Sequence, residues 1–220
     1  MSDFKNALVI GNGSSRQNFK YSESIIRTYG CNAIYRSNIK IDDLIAIDPA
    51  IQHEIYSSDY VKKRRCWFAS WKSISNNRDY KALLEYVEHN KIIENKRNKS
   101  DRCIIAGSGD KFYITWLYEK DLVNDIGLVY KSTGDVAINL AIKHEYTNIF
   151  LLGFDGAGNI YRGTENYHNE DGPLKEWWDE HEKIYKENPD ISFYRINCKM
   201  LPSDALNCIY INNMEFLEMI

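Results

Sequence analysis

The chain has 220 residues, 44% hydrophobic and 27% charged, with a formal net charge of −3. That length and balance suit one soluble globular domain with its own core, and exclude a disordered chain, a collagen-like repeat and a disulfide-stapled miniprotein. Wholesale electrostatic binding to nucleic acid or an anionic membrane is not indicated, which leaves such a role to a local basic patch.

The run ALVI at Ala7–Ile10 breaks into Gly11-Asn12-Gly13-Ser14-Ser15, a strand entering a glycine turn as nucleotide-binding α/β units begin. YGCNAIYR, residues 29–36, reads as a second strand ending near Asn32. DDLIAIDPA, residues 42–50, reads as a third, stopped at Asp48-Pro49 because proline cannot continue a central ladder. A helix through AIQHEIYSS is expected next. Lys62, Lys63, Arg64 and Arg65 then lead into CWFASW, read as a strand.

Residues 80–94 have helical periodicity, residues 95–102 form a basic loop, RCIIAGSGD repeats the strand-to-glycine pattern, and 113–130 look irregular and aromatic. Ser132-Thr133-Gly134 opens a helix with Asp135 in its first turn and Ala137, Ile138, Ala141 and Ile142 as its buried stripe. TNIFLLGFD is the clearest strand, ending at Asp155. The Gly- and Asn-rich loop 156–172 has the length of a lid. Pro173 starts another helix, ISFYRIN is a late strand, and a short strand at 208–211 precedes a small helix.

Strands and helices alternate along 1–220, which predicts a single Rossmann-like α/β domain: a mainly parallel sheet with helices on both faces. Functional groups then lie at the strands' carboxyl ends.

The five cysteines are odd in number and lack CxxC spacing, so free thiols in a reducing cytoplasm are expected and no zinc site. The opening residues do not read as a signal peptide, and no window has the length of a transmembrane span. Cytoplasmic localisation without membrane insertion follows as the expectation, with homo-oligomerisation left open. Sixteen Tyr and five Trp fit either a Tyr-rich core or a ligand-stacking surface.

The Gly11–Ser14 loop can bring backbone N–H groups to a phosphate or ribose, but lacks the third glycine of a dinucleotide fingerprint and the Lys-Ser/Thr of a P-loop. Asn32 can bind a base, ribose or sugar, or simply form a turn. Asp48 can bind hydroxyls or a metal, or cap a helix. Ser132, Thr133 and Gly134 offer an anion cradle or a plain cap. Asp155 ends its strand at the same edge. His168, in the long loop with Tyr161, Arg162 and Tyr167, can serve as a general base. His53, His89, His144 and His181 are expected on helix surfaces.

The order GNGSS, GCNAIY, IDP, STG with an Ala-rich helix, then YTNIFLLGFD resembles the bacterial family-42 sialyltransferases. The late ISFYRINCKMLPSDAL is similar to that family's final strand and Pro-Ser motif. The resemblance spans most of residues 7–206, is weakest over 60–125, and is compatible with a divergent, phage-encoded member. It implies a metal-independent glycosyltransferase that uses a nucleotide sugar as co-substrate and needs no cofactor. It also implies that Asn12, Gly13 and Ser14 contact the donor nucleotide, and Asn32 the nucleotide or sugar. Ser132, Thr133 and Gly134 would hold a cytidine-like base and phosphate, Tyr161 the departing phosphate, and His168 would be the base. The chain departs from the pattern at Asp48, where the family has Asn before Pro. A carboxylate there repels an anionic sugar and suits a neutral one. The family's second phosphate-binding Tyr falls near Gly156-Ala157, so leaving-group stabilisation must differ.

The acceptor is expected to be a glycan hydroxyl, or a hydroxylated or hydroxymethylated DNA base. In the second case Lys62, Lys63, Arg64, Arg65, Trp67 and Trp71 supply the acceptor surface. Two other classes stay open. One is a pyrophosphokinase-like enzyme with Mg²⁺ on Asp48 and Asp155, and the other is a non-catalytic nucleotide-binding module.

Overall fold

The computed structural model describes residues 5–17, 19, 26–37, 39–48, 51–52, 54–55, 58, 60–68, 74–75, 103–108, 111–116, 132–155, 158–164, 167, 174–198 and 202–220. For 61, 62, 74–75, 103–108, 111–116 and 174 it describes the backbone alone. The strands of the main sheet are β1 (Asn6–Ile10), β2 (Arg27–Cys31), β3 (Asp43–Ala46), β4 (Arg65–Phe68), β8 (Asn148–Leu152), β9 (Ser192–Ile196) and β10 (Cys208–Ile211). A separate antiparallel sheet joins β5 (Ile74–Ser75), β7 (Lys111–Trp116) and β6 (Cys103–Ser108) in the order β5-β7-β6. The helices are α1 (Tyr60–Lys63), α2 (Thr133–Lys143), α3 (Leu174–Glu187) and α4 (Asn213–Met219).

The seven strands of the main sheet are all parallel, in the order β10-β9-β8-β1-β2-β3-β4. Period-2 alternation sends side chains to opposite faces. Leu8, Ile10, Leu44, Phe150 and Leu152 pack with Ile51, Ile55 and Phe216 of α4. Ala7, Val9, Ile45, Ile149 and Leu151 pack with Val136, Ala137 and Ala141 of α2 and Ile184 and Tyr185 of α3. The strands are therefore covered on both faces, as a parallel sheet requires. This is the α/β architecture that the alternation of elements predicts.

From β1 the chain proceeds outward through β2, β3 and β4. From β8 it proceeds outward the other way through β9 and β10. The strand order reverses between β1 and β8, and ligands of open α/β sheets bind in the crevice at such a switch point.

Several local expectations need correction. The second strand ends beside Asn32 as expected, but it begins at Arg27 rather than Tyr29, and residues Asn32–Arg36 coil into a 3-10 helix, with Asn32 at a left-handed φ of 51° that no strand tolerates. Residues 113–116, expected to be irregular, belong to β7, whose partner β6 supplies an edge that local patterning does not reveal. The helix expected over 80–94 lies outside the described residues. No helix among the described residues is long and apolar enough to cross a membrane.

Candidate functional site

The crevice floor is backbone. Gly11 N–H donates to Leu152 O at 2.8 Å and Gly13 N–H to Gly153 O at 2.9 Å, joining the loops that follow β1 and β8. This close approach explains the glycines. A Cβ on Gly13 would collide with the Asp155 carboxylate, and Gly153 has φ +75° with Gly11 O lying 2.7 Å from any Cβ. Asp155 is buried, and its Oδ2 accepts the Ser15 N–H at 2.7 Å. In turn, Ser15 Oγ accepts the Gly153 N–H at 3.1 Å. Asp155 thus shapes the glycine loop, while Ser14 is exposed at its rim.

Asn12 and Asn32 define one wall. Asn12 Nδ2 donates to Cys31 O at 3.2 Å and to the Tyr167 hydroxyl at 3.2 Å. Its Oδ1 is buried and has no partner among the described residues. Asn32 Oδ1 accepts from Thr133 Oγ1 at 3.0 Å, and Asn32 Nδ2 reaches Asp48 Oδ2 at 3.4 Å. The ends of β2 and β3 and the first turn of α2 therefore meet at one asparagine. Asp48 is solvent-exposed, and partial desolvation pushes its carboxyl above the ordinary range while the Asn32 hydrogen bond pulls it back. Cys31 is buried beneath this wall, and burial pushes its thiol up to about 12, so it stays protonated.

α2 opens with a capping box: Ser132 Oγ accepts the Asp135 N–H, and Asp135 Oδ2 accepts the Ser132 N–H at 2.7 Å. The Ser132 hydroxyl is thus committed to the cap, and Gly134 packs tightly under Phe154. The other oxygen of Asp135 lies 3.0 Å from His181 Nε2 of α3, both side chains buried. Burial would raise the Asp135 carboxyl, but His181 and Ser132 together hold it below its ordinary value. His181 is therefore no surface residue: helix periodicity put it on the solvent side, but its partner Asp135 draws it inward. His144 is likewise half-buried, with Nδ1 2.6 Å from the Tyr29 hydroxyl.

Residues 158–164 and 167 form the opposite wall. Ile160 N–H donates to Asn12 O at 2.9 Å. The Tyr161 hydroxyl accepts from Arg16 Nη2 at 2.8 Å, and the Tyr167 hydroxyl accepts from Ala33 N–H at 3.3 Å as well as from Asn12. Arg36 donates to Thr164 Oγ1 at 2.8 Å while its guanidinium pairs with Glu54 at 2.6 Å. Arg16 and Arg36 are the site residues that sequence reasoning missed, and Tyr167, expected only as a lid aromatic, takes up hydrogen bonds to Asn12 and Ala33. The signal for Tyr167 was its place in the Gly- and Asn-rich loop, whereas nothing local marks Arg16. His168 and Trp71 lie outside the described residues, as does the side chain of Lys62.

The basic run is not at this site. Lys63, Arg64 and Arg65 are exposed, and Arg65 begins β4, so it lies at the amino-terminal edge of a sheet whose carboxyl-terminal edge holds the crevice. Trp67 cannot stack on an acceptor: it is 4% exposed, its indole N–H donates to Asp43 Oδ1 at 3.0 Å, and Arg65 lies over its ring. Its apolar partners override the charged neighbours that made it look like a surface residue. Among the described residues no group of three or more His, Cys, Asp or Glu converges as metal ligands.

No family model matches the sequence, and no curated protein matches it. Among solved structures, the chain is similar to the sialyltransferase CstII from Campylobacter jejuni in complex with CMP-3FNeuAc, at 14% identity, 92% coverage of this chain, 88% of that chain and a TM-score of 0.47. It is also similar to CST-II in complex with a trisaccharide acceptor and CMP, at 12% identity, 92% and 88% coverage and a TM-score of 0.46. A third is an alpha-2,3-sialyltransferase from Campylobacter jejuni in apo form, at 16% identity, 94% and 78% coverage and a TM-score of 0.44.

Proposed function

We propose that this chain transfers a sugar from a nucleotide-sugar donor to an acceptor hydroxyl. The observation that carries the reading is the convergence of Asn12, Asn32, Thr133 and Tyr161 on the switch-point crevice, in the motif order GNGSS, GCNAIY, IDP, STG. The base and ribose lie along Asn12, Asn32 and Thr133, with a cytidine nucleotide as the first choice from the motif resemblance. Asp48 beside Asn32 places a carboxylate near the donor sugar, which favours a neutral sugar over one carrying a carboxylate.

In the transfer, the acceptor oxygen bonds to the anomeric carbon as that carbon's bond to the phosphate oxygen breaks. The bonding pair stays on the phosphate, and His168 takes the acceptor proton. Tyr161 faces the departing phosphate. The reaction is proposed to run without a metal ion, so EDTA leaves it unchanged. A glycan hydroxyl is favoured over a DNA base as acceptor, because the basic run lies at the far edge of the sheet from the crevice.

Thermal-shift measurements with CMP, UDP, GDP and their sugars test the reading, followed by a donor-hydrolysis or transfer assay with the donor that binds. A nucleotide-selective shift, with turnover lost in His168→Ala, is the expected result. No shift with any nucleotide overturns it.

A further inference from the structure

Resting on that reading, we infer that Arg16 is the cation that holds the donor's phosphate charge in the crevice, acting in part by directing the Tyr161 hydroxyl toward it. Arg16 follows the glycine loop and is only 6% exposed. A buried guanidinium is costly unless a negative charge or a full set of acceptors compensates it. Arg27 has Asp43 at 2.7 Å and Arg36 has Glu54 at 2.6 Å. Among the described residues Arg16 has no carboxylate. Its polar side-chain contact among them is the Tyr161 hydroxyl at 2.8 Å, its guanidinium lies 5.3 Å from that ring, and its Nε has no partner among the described residues. Asp155, whose carboxylate abuts Gly13, accepts the Ser15 N–H and makes no ion pair with Arg16.

The direction of the hydrogen bonds matters. Arginine only donates, so the Tyr161 oxygen must accept and its own proton must point elsewhere. That proton meets no acceptor among the described residues. Tyr167 is in the same position: its oxygen accepts from Ala33 N–H, and its ring lies 6.1 Å from that of Tyr161. A cation with no carboxylate partner and two phenolic protons with no acceptor among the described residues, side by side, complement a phosphate group, with Asp48 the carboxylate that acts on Tyr167 from the donor-sugar side. As the anomeric carbon–oxygen bond breaks, the charge gathering on the phosphate oxygen meets the Arg16 guanidinium and the phenolic protons that Arg16, Asn12 and Ala33 leave to it by donating to the two hydroxyl oxygens.

The test measures binding of inorganic pyrophosphate and of CMP to the full chain by calorimetry, for wild type, Arg16→Gln, Arg16→Lys and Tyr161→Phe, with thermal melting to confirm folding. Arg16→Gln is expected to weaken both anions by about tenfold to a hundredfold, the effect of losing a charge-assisted hydrogen bond. Arg16→Lys recovers part of the loss, and Tyr161→Phe loses less than Arg16→Gln. Uncharged cytidine binds wild type and Arg16→Gln alike. Equal anion affinity in folded Arg16→Gln overturns the assignment, as does a wild type that binds neither anion. Nucleotide binding that ignores Arg16 sinks this inference and leaves the transferase reading standing. Arg16-dependent pyrophosphate binding with no nucleotide binding does the reverse.

Discussion

Thr133 Oγ1 donates to Asn32 Oδ1 at 3.0 Å, and this bond ties the first turn of α2 to the left-handed residue that ends β2. Asn32 is held at φ 51° while both ends of its amide are used. Replacing Asn32 with Ala keeps the strain and loses both bonds. A stability loss of about 1–3 kcal/mol is expected, with nucleotide affinity falling as well. Asn32→Gly relieves the backbone and recovers stability but not affinity. Urea denaturation and nucleotide titration separate the two effects, and recovery of both by glycine would show that the amide itself does nothing.

Gly153→Ala attacks the crevice floor. The new Cβ meets Gly11 O at 2.7 Å on a backbone with φ +75°. A loss of more than about 1 kcal/mol is expected from the conformation alone, with the clash adding to it. The midpoint of chemical denaturation reports it, and an unshifted midpoint would mean that the β1 and β8 loops do not meet as described.

Ser132→Ala removes the N-cap of α2 and should cost about 1 kcal/mol. Loss of the Asp135 carboxylate has a pH signature. Its folded-state pKa lies below the ordinary value of 3.8, so the stabilisation is complete above that value and is lost as pH falls through the folded-state pKa. The acid limb of the stability curve should therefore flatten in Asp135→Asn, measured by denaturation at a series of pH values below 5. An acid limb identical to wild type would remove Asp135 from the account.

Trp67→Ala is expected to destabilise the fold by about 3–5 kcal/mol, as large core truncations do, because the ring is buried and its N–H serves Asp43. Neutralising Lys63 and Arg64 should leave nucleotide affinity within about twofold, since both are exposed at the other edge of the sheet and surface charges beyond a Debye length are screened. A Trp67→Ala variant with wild-type stability, or a large affinity loss on neutralisation, would restore the basic run to the site.

What was legible in the sequence was local. The β1 glycine turn and the cap at Ser132 with Asp135 are each written within a few residues and are found where patterning put them, while the strand of TNIFLLGFD is found but ends at Leu152, short of Asp155. What was illegible was pairwise and distant. His181 looks like the polar face of an amphipathic helix until Asp135 comes to face it. Arg16 looks like an ordinary loop cation until Tyr161 closes over it. Trp67 beside four basic residues suggested a surface, and only the packing of Ile45 and Val9 on the same face shows a core. Asn32 was recognised as a strand-end residue, but neither its positive φ, which turns the chain into a 3-10 helix, nor its bonds to Asp48 and Thr133 is written in local pattern.

The β1–β8 pairing registers Leu8 with Phe150 and Ile10 with Leu152, more than a hundred residues away in the chain. The groups lining the crevice divide between residues 11–48 on one side of that seam and 132–167 on the other, so neither stretch holds a ligand set by itself. Closing so large a loop is the slow kind of step in folding. Ligand affinity should then emerge late in refolding, trailing the helical signal and coinciding with the long-range zipping of the sheet's centre, which makes nucleotide binding a clock for the last topological event.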